Sequence, residues 1–269
     1  MRRLYEPRHI PASHRLSAWL LSALFALSLC VQQAWAAPAE RTVIPLGQAV
    51  GIKLFADGVL VVALADGPTP ARACGLRQGD IITAMDGAAV GSTEQVQDLL
   101  ADTAGAPIVL SVRRGADALA LTACARENNG VWQLGAWIRD SMAGIGTLTF
   151  ADPQTGVFGS LGHGICDAET GVLLPLSEGD LIYSTVETVT RGKSGAPGAL
   201  QGDFSDARPI GTVTKNTVHG IFGTLSDLSL LSGQGALPVA ARDEIQTGDA
   251  EIIANIDGDK VQRYSVQIV

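Results

Sequence analysis

Aromatic and charged side chains are both scarce in this sequence. Phe, Trp and Tyr make up 5% of its 269 residues, and Asp, Glu, Lys and Arg together 17%. With 46% of the chain hydrophobic, so few charges exclude a disordered protein. Lys and Glu are few beside Val, Ile, Leu and Thr, and 31 glycines punctuate the chain. That mixture favours sheet over a helical bundle. Basic residues are outnumbered 19 to 27, for a net charge of −8. A nucleic-acid partner needs a Lys/Arg surface, so none is expected. Four histidines and four cysteines are scattered without ligand spacing, so neither a metal nor a cofactor is expected.

What is present begins with an export signal. Arg2, Arg3, Arg8 and Arg15 precede an apolar run from Leu16 to Val31, and Ala34-Trp35-Ala36 then precedes Ala37. A basic start, an apolar run of this length and an A-x-A site read as a secretory signal peptide over residues 1–36. The run falls short of the ~20 residues of a membrane span. Left uncleaved, it would tie the protein to the membrane as a signal anchor. Cleavage removes His9 and His14, leaving His163 and His219, and leaves Cys74, Cys124 and Cys166. Three cysteines make no disulfide framework and read as small buried hydrophobes.

Residues 47–124 read as an α+β unit. Gly51-Ile52-Lys53-Leu54 and Gly58-Val59-Leu60-Val61-Val62 suggest two strands joined by a turn at Asp57-Gly58. Gly75-Leu76-Arg77-Gln78-Gly79-Asp80-Ile81-Ile82 follows, with Gly79 allowing a turn and Asp80 placed to bond backbone amides there. Ser92 with Gln95 three residues on is a capping-box spacing, and Val96, Leu99 and Leu100 give the helix it opens one apolar face. A strand over Ile108–Val112 closes the unit. In this order the segment resembles a PDZ domain of the bacterial protease type. The resemblance implies that an extended peptide or protein C-terminus adds to a sheet edge, its carboxylate held by backbone N–H groups. It places that groove at Gly51, Ile52 and Lys53, with Leu54 lining the pocket.

From 131 to 269 the texture becomes short strands separated by Gly, Pro and Asp, expected at Ile145–Phe150, Val157–Leu161, Val172–Pro175, Ile182–Thr190, Ile210–Thr214, Gly220–Leu225, Ala236–Val239, Ala250–Ile256 and Lys260–Val269. That spacing suggests a barrel or sandwich. Asp257-Gly258 reads as the turn of a hairpin. Gly192-Lys193-Ser194-Gly195-Ala196-Pro197 imitates the nucleophile loop of trypsin-like peptidases, and His163 precedes it. Ser194 lies only 31 positions after His163, room for about three strands. A double-barrel hydrolase needs more chain between its base and its nucleophile. Ser194 is therefore expected to be a loop serine, with the glycines and Pro197 shaping a turn. A Cys166–His163 pair would need both side chains of one short segment to fold onto each other, with only Asp167 nearby as an orienting group.

The wider pattern carries a family resemblance. It comprises Gly144-Ile145-Gly146-Thr147-Leu148-Thr149-Phe150, Leu161-Gly162-His163-Gly164, Gly192 to Gly198, Ile210-Gly211, Lys215-Asn216, His219-Gly220 and Leu237-Pro238. With the PDZ-like unit in front, the chain resembles the sporulation protein IV B family, the S55 serine endopeptidases. The resemblance implies a mainly β fold, with a PDZ-like α+β domain followed by the His-bearing, trypsin-like β-barrel half of a peptidase. It implies His163 as general base, and it leaves Ser194 and His219 without catalytic roles. The family's nucleophile lies in a later Ser-Gly-Ser-Pro motif shortly after the triad Asp. Neither precedes Gln267-Ile268-Val269, so the chain is expected to be a fragment, inert by itself. The family acts between mother-cell and forespore membranes, cleaving a regulator of a membrane-embedded metalloprotease. A second reading is a secreted, non-catalytic PDZ-containing protein that binds peptides.

Overall fold

One strand runs through both halves of the molecule. The computed structural model describes residues 41–203 and 208–269. The expected export signal at 1–36 lies outside the described residues. Strand β1, Thr42–Leu64, has 23 residues, against the ~5–6 of an average strand. Its two apolar stretches meet at Ala56-Asp57-Gly58, where a hairpin turn was expected. The structure instead forms a bulge. Both stretches pair antiparallel with the same later strand, and the register slips between Phe55 and Leu60. Gly58 has φ +102°, and a Cβ there would sit 2.7 Å from the Ile82 carbonyl oxygen, so only glycine fits this bend.

Beyond the bulge β1 enters the PDZ-like unit. Helix α1, Pro70–Ala73, is followed by β2, Ile81–Met85, and β3, Ala88–Ala89. Helix α2, Thr93–Thr103, starts at the expected capping box on Ser92 and Gln95 and buries Val96 and Leu100. Strands β4, Pro107–Arg114, and β5, Asp117–Cys124, complete the order β1-β2-β4-β5, with β3 on β2. A short hairpin of β6, Arg126–Asn128, and β7, Val131–Gln133, leads into β8, Ala136–Ala151, the long partner of β1. The core of this unit begins at Val59 and Val61, and it closes over Ile82, Val96, Leu100 and Leu110. Residues 47–56, counted above with the PDZ-like unit, pack elsewhere.

They pack in the barrel. After β9, Val157–Ser160, come β10, Leu176–Tyr183, then β11, Thr185–Thr190, and β12, Ala199–Asp203. Strands β13, Pro209–Thr217, and β14, Gly220–Leu225, follow. The sheet runs β10-β13-β14-β9-β8-β1, and β1 pairs back onto β10. All these pairings are antiparallel, so six strands close a barrel with no free lateral edge. Its interior holds Val50, Ile52, Leu54, Leu148, Phe158, Leu181, Val213 and Ile221. The fold is mainly β, as expected, and the expected half of a peptidase domain is itself a closed barrel. Strand β15, Leu237–Pro238, adds to the start of β1, and β16, Gly248–Asp257, with β17, Lys260–Ile268, forms the expected C-terminal hairpin.

The cysteines depart from expectation. Cys74 is half-buried, with its thiol 3.2 Å from the Ala71 carbonyl oxygen, but Cys124 and Cys166 are exposed and all three are free. Cys124 ends β5 and Cys166 lies in a loop bridge to Leu173, so neither reaches a core.

Candidate active site

His163 sits in the loop that leaves β9. The loop starts under tension of its own, since Leu161 takes a left-handed φ of +59°. Its first turn is anchored on one acceptor. The Ser160 hydroxyl donates to the Thr147 carbonyl at 2.6 Å, and the Leu161 N–H donates to the same oxygen at 3.1 Å. Gly164 then passes so close to its neighbours that a Cβ would lie 2.3 Å from Leu173 and 2.5 Å from the Thr217 carbonyl. Gly164 thus lets the chain pack flat on the barrel while the imidazole stays exposed.

The imidazole Nδ1 lies 3.0 Å from the Gly164 carbonyl oxygen. A carbonyl only accepts, so in the neutral ring this hydrogen bond selects the tautomer with the proton on Nδ1 and the lone pair on Nε2. That is the tautomer a general base needs. Among the described residues, no carboxylate bonds His163. Asp167 does not orient it, because its carboxylate is fully engaged elsewhere. It accepts from Arg139, from the Thr170 N–H and hydroxyl at 2.9 and 3.0 Å, and from the Glu169 N–H at 3.1 Å.

Burial pushes the Asp167 carboxyl up, but those N–H and hydroxyl donors and the Arg139 charge outweigh it and hold it below the usual Asp range. A depressed carboxyl stabilises the fold above its unfolded value, near pH 4, and loses that contribution as pH falls through its folded value. Urea titrations of wild type and Asp167→Asn are therefore expected to differ most at neutral pH and to converge on acidification below about pH 4. A gap that stays constant down to pH 2 would contradict this.

Asn216 fastens the far side of the loop, and sequence reasoning gave it no role. Its Oδ1 accepts from the Ile165 N–H at 2.9 Å, and its Nδ2 donates to the Ile165 and Leu174 carbonyls, both at 2.9 Å. An Asn near the end of a strand is unfavoured unless its amide is used, which is the signal that marks it. Asn216→Ala is expected to lower unfolding free energy by about 1–3 kcal/mol through unpaired backbone groups. Asn216→Asp keeps the acceptor but sets a carboxylate oxygen against the Ile165 and Leu174 carbonyls, so it should lose at least as much as Asn216→Ala in a denaturant titration.

The remaining candidates lie apart. Ser194 is at the tip of the β11–β12 hairpin, where Lys193 and Ala196 exchange N–H···O bonds of 2.8 and 2.9 Å. It is exposed, and no hydrogen bond joins it to His163 or any other described residue. His219 lies in the exposed β13–β14 turn, its N–H bonded to Thr217. Cys166 is exposed, its thiol 4.0 Å from the Gly164 carbonyl oxygen rather than against His163.

The expected peptide groove at Gly51, Ile52, Lys53 and Leu54 needs correction. These residues pair on one side with β10, through Gly51–Ile182 to Leu54–Gly179. On the other side they pair with β8, through Gly51–Ile145 to Leu54–Met142. With both edges taken, no peptide strand can add there, and Leu54 is wholly buried in the barrel. A groove does lie between α2 and the first residues of β8. It has a volume of about 530 Å³, with Ile82, Val96, Leu100, Leu134, Ala136 and Ile138 in its walls. Ala136–Ile138 pair with β1 on one side and line the groove across from α2 on the other. No hydrogen bond runs from the Leu134 or Gly135 N–H to another described residue, which leaves two donors at the groove's entrance. Asp140 closes the other end, accepting from the Thr93 N–H at 2.7 Å at the start of α2.

Comparison with known proteins finds two family models. The family model described as SpoIVB peptidase S55 matches residues 130–269, and a PDZ domain model matches residues 62–114. The groove strand falls within the first match and its facing helix within the second. No curated protein matches the chain.

Proposed function

Because the chain belongs to the SpoIVB peptidase S55 family, we propose that it serves a serine endopeptidase in which His163 is the general base. Nε2 of His163 takes the proton of a serine hydroxyl as that oxygen attacks a peptide carbonyl. Backbone N–H groups stabilise the tetrahedral oxyanion, and the imidazolium returns its proton to the leaving amine. The observation that carries this reading is the exposed imidazole whose Nδ1–H is held by Gly164, leaving Nε2 bare. By family resemblance the serine belongs to a Ser-Gly-Ser-Pro motif, which these 269 residues do not contain. The chain alone supplies base and docking groove and is expected to hydrolyse nothing.

The substrate is an extended segment or C-terminus of a protein. Its carboxylate would meet the Leu134 and Gly135 N–H groups, and its apolar end would enter the α2–β8 groove. By resemblance the protein is exported to the space between mother cell and forespore, and its substrate regulates a membrane-embedded metalloprotease. Reading the coding DNA past Val269 tests the reaction. An in-frame Ser-Gly-Ser-Pro supports the peptidase. An immediate stop, with a folded chain that binds C-terminal peptides without cutting them, supports the non-catalytic binding protein instead.

A further inference from the structure

Asp167 lies four residues past His163 and its side chain is completely buried, yet it serves the imidazole through no direct bond. Three of its hydrogen bonds come from Glu169 and Thr170, inside its own turn, and would move with that turn. The fourth bond comes from outside the turn, from Arg139. We propose that Arg139 is a positioning residue for His163, holding the base's loop to the PDZ-like unit through the buried Asp167 carboxylate. This rests on the reading of His163 as the base.

Arg139 is well placed for that task. Its neighbours on β8 are Ile138, in the groove wall, and Asp140, at the start of α2. Successive side chains of a strand point to opposite faces, so Arg139 leaves the groove face and meets the turn on the other side. Its second nitrogen reaches Glu169 at 3.8 Å. Beside it, Val172 packs on Leu60, Val62 and Ile81, and Gln78 donates to the Glu169 carbonyl at 3.3 Å. The other limb of the turn is tied to the histidine loop. Leu174 donates to the Ile165 carbonyl at 3.1 Å, and Cys166 pairs with Leu173. The connection therefore runs unbroken from groove strand through Arg139 and Asp167 to Ile165, Gly164 and His163.

Among the described residues, Arg139 is the only cation that pairs with Asp167 or Glu169. A buried carboxylate stripped of its cation must find water. The least costly relief is for the turn to swing outward, carrying the loop of His163 with it.

Amide hydrogen exchange and histidine NMR on the full chain test this. Arg139→Met is expected to speed exchange over residues 163–174 at least tenfold, with α2 and β14 staying within threefold of wild type. It should also move the His163 imidazole resonance, assigned by its loss in His163→Gln. Arg139→Lys should keep the loop within threefold of wild type. In Asp167→Asn, where no anion needs a partner, adding Arg139→Met should change exchange by less than threefold.

A wild-type exchange rate in folded Arg139→Met would overturn the proposal, as would a uniform loosening of the whole chain. A tenfold effect that persists in the Asp167→Asn background would also overturn it. If Arg139→Met fails to fold, the Lys variant and the double variant decide. These signals report the loop whether or not His163 acts as a base, so loss of the peptidase reading would leave this result standing.

Discussion

Leu54→Ala is expected to lower unfolding free energy by about 2–5 kcal/mol and to leave peptide binding at the α2–β8 groove unchanged. Leu54 is fully buried in the barrel, and a Cβ on Gly179 would come within 2.7 Å of its Cδ2. Deleting its isobutyl group opens a cavity between β1 and β10 that neither strand can close, because both are held in register from Val50 to Phe55. Melting should fall by roughly 2–4 °C for each kcal/mol lost. Were Leu54 instead the floor of a peptide pocket, the variant would keep its melting temperature and lose affinity. Thermal denaturation together with a peptide titration separates the two outcomes.

Arg114→Met should be about as damaging, at about 3–5 kcal/mol, while the same change at Arg113 should cost under about 1 kcal/mol. The two arginines are adjacent in β4 and differ in what they hold. Arg114 forks onto Asp80, Nε to Oδ1 and Nη2 to Oδ2, each at 2.7 Å. Asp80 is 1% exposed and also accepts the Arg77 N–H, so it pins the Gln78-Gly79 turn that leads into β2. The hydrogen bond to Asp80 raises the Arg114 guanidinium above its ordinary value; burial opposes this, and the Asp80 and Asp117 charges add to the rise. Losing it strands a carboxylate in the protein interior. Arg113 meets an exposed Asp57 at 3.5 Å, a pair that water already screens. Equal losses at 113 and 114 in urea titrations would contradict this account.

The parts of the fold legible in the sequence were those whose signals are local. The capping box at Ser92 and Gln95, with Val96 and Leu100 a turn apart, fixed α2 within its own twelve residues. The C-terminal hairpin was legible too, with its turn centred one residue later, on Gly258-Asp259. Strand β1 was not, because Asp57-Gly58 is equally at home in a hairpin turn and in a bulge. What chose the bulge was a partner strand some eighty residues away, and no local pattern records that. The same long pairing moved Gly51–Leu54 from a groove to a barrel wall.

Strand β12 escaped notice because Ala199-Leu200-Gln201-Gly202-Asp203 has no β-branched residue, and it forms by pairing with β11. The expected strand over Ile182–Thr190 is split at Ser184, which is buried and donates to the Asp203 carbonyl. At the site, the glycine after His163 has a steric reason, since a Cβ on Gly164 would strike Leu173 and the Thr217 carbonyl. Asn216 and Arg139 were not legible, since each acts on a loop far along the chain.

The most direct test of the catalytic account is to treat the full chain with a fluorophosphonate, which labels only serines activated by a neighbouring base, and to map any adduct by mass spectrometry. The account predicts no adduct above a heat-denatured control, at Ser194 or elsewhere, because among the described residues no serine is hydrogen-bonded to the base His163. An adduct on Ser194 that disappears in His163→Ala would contradict it.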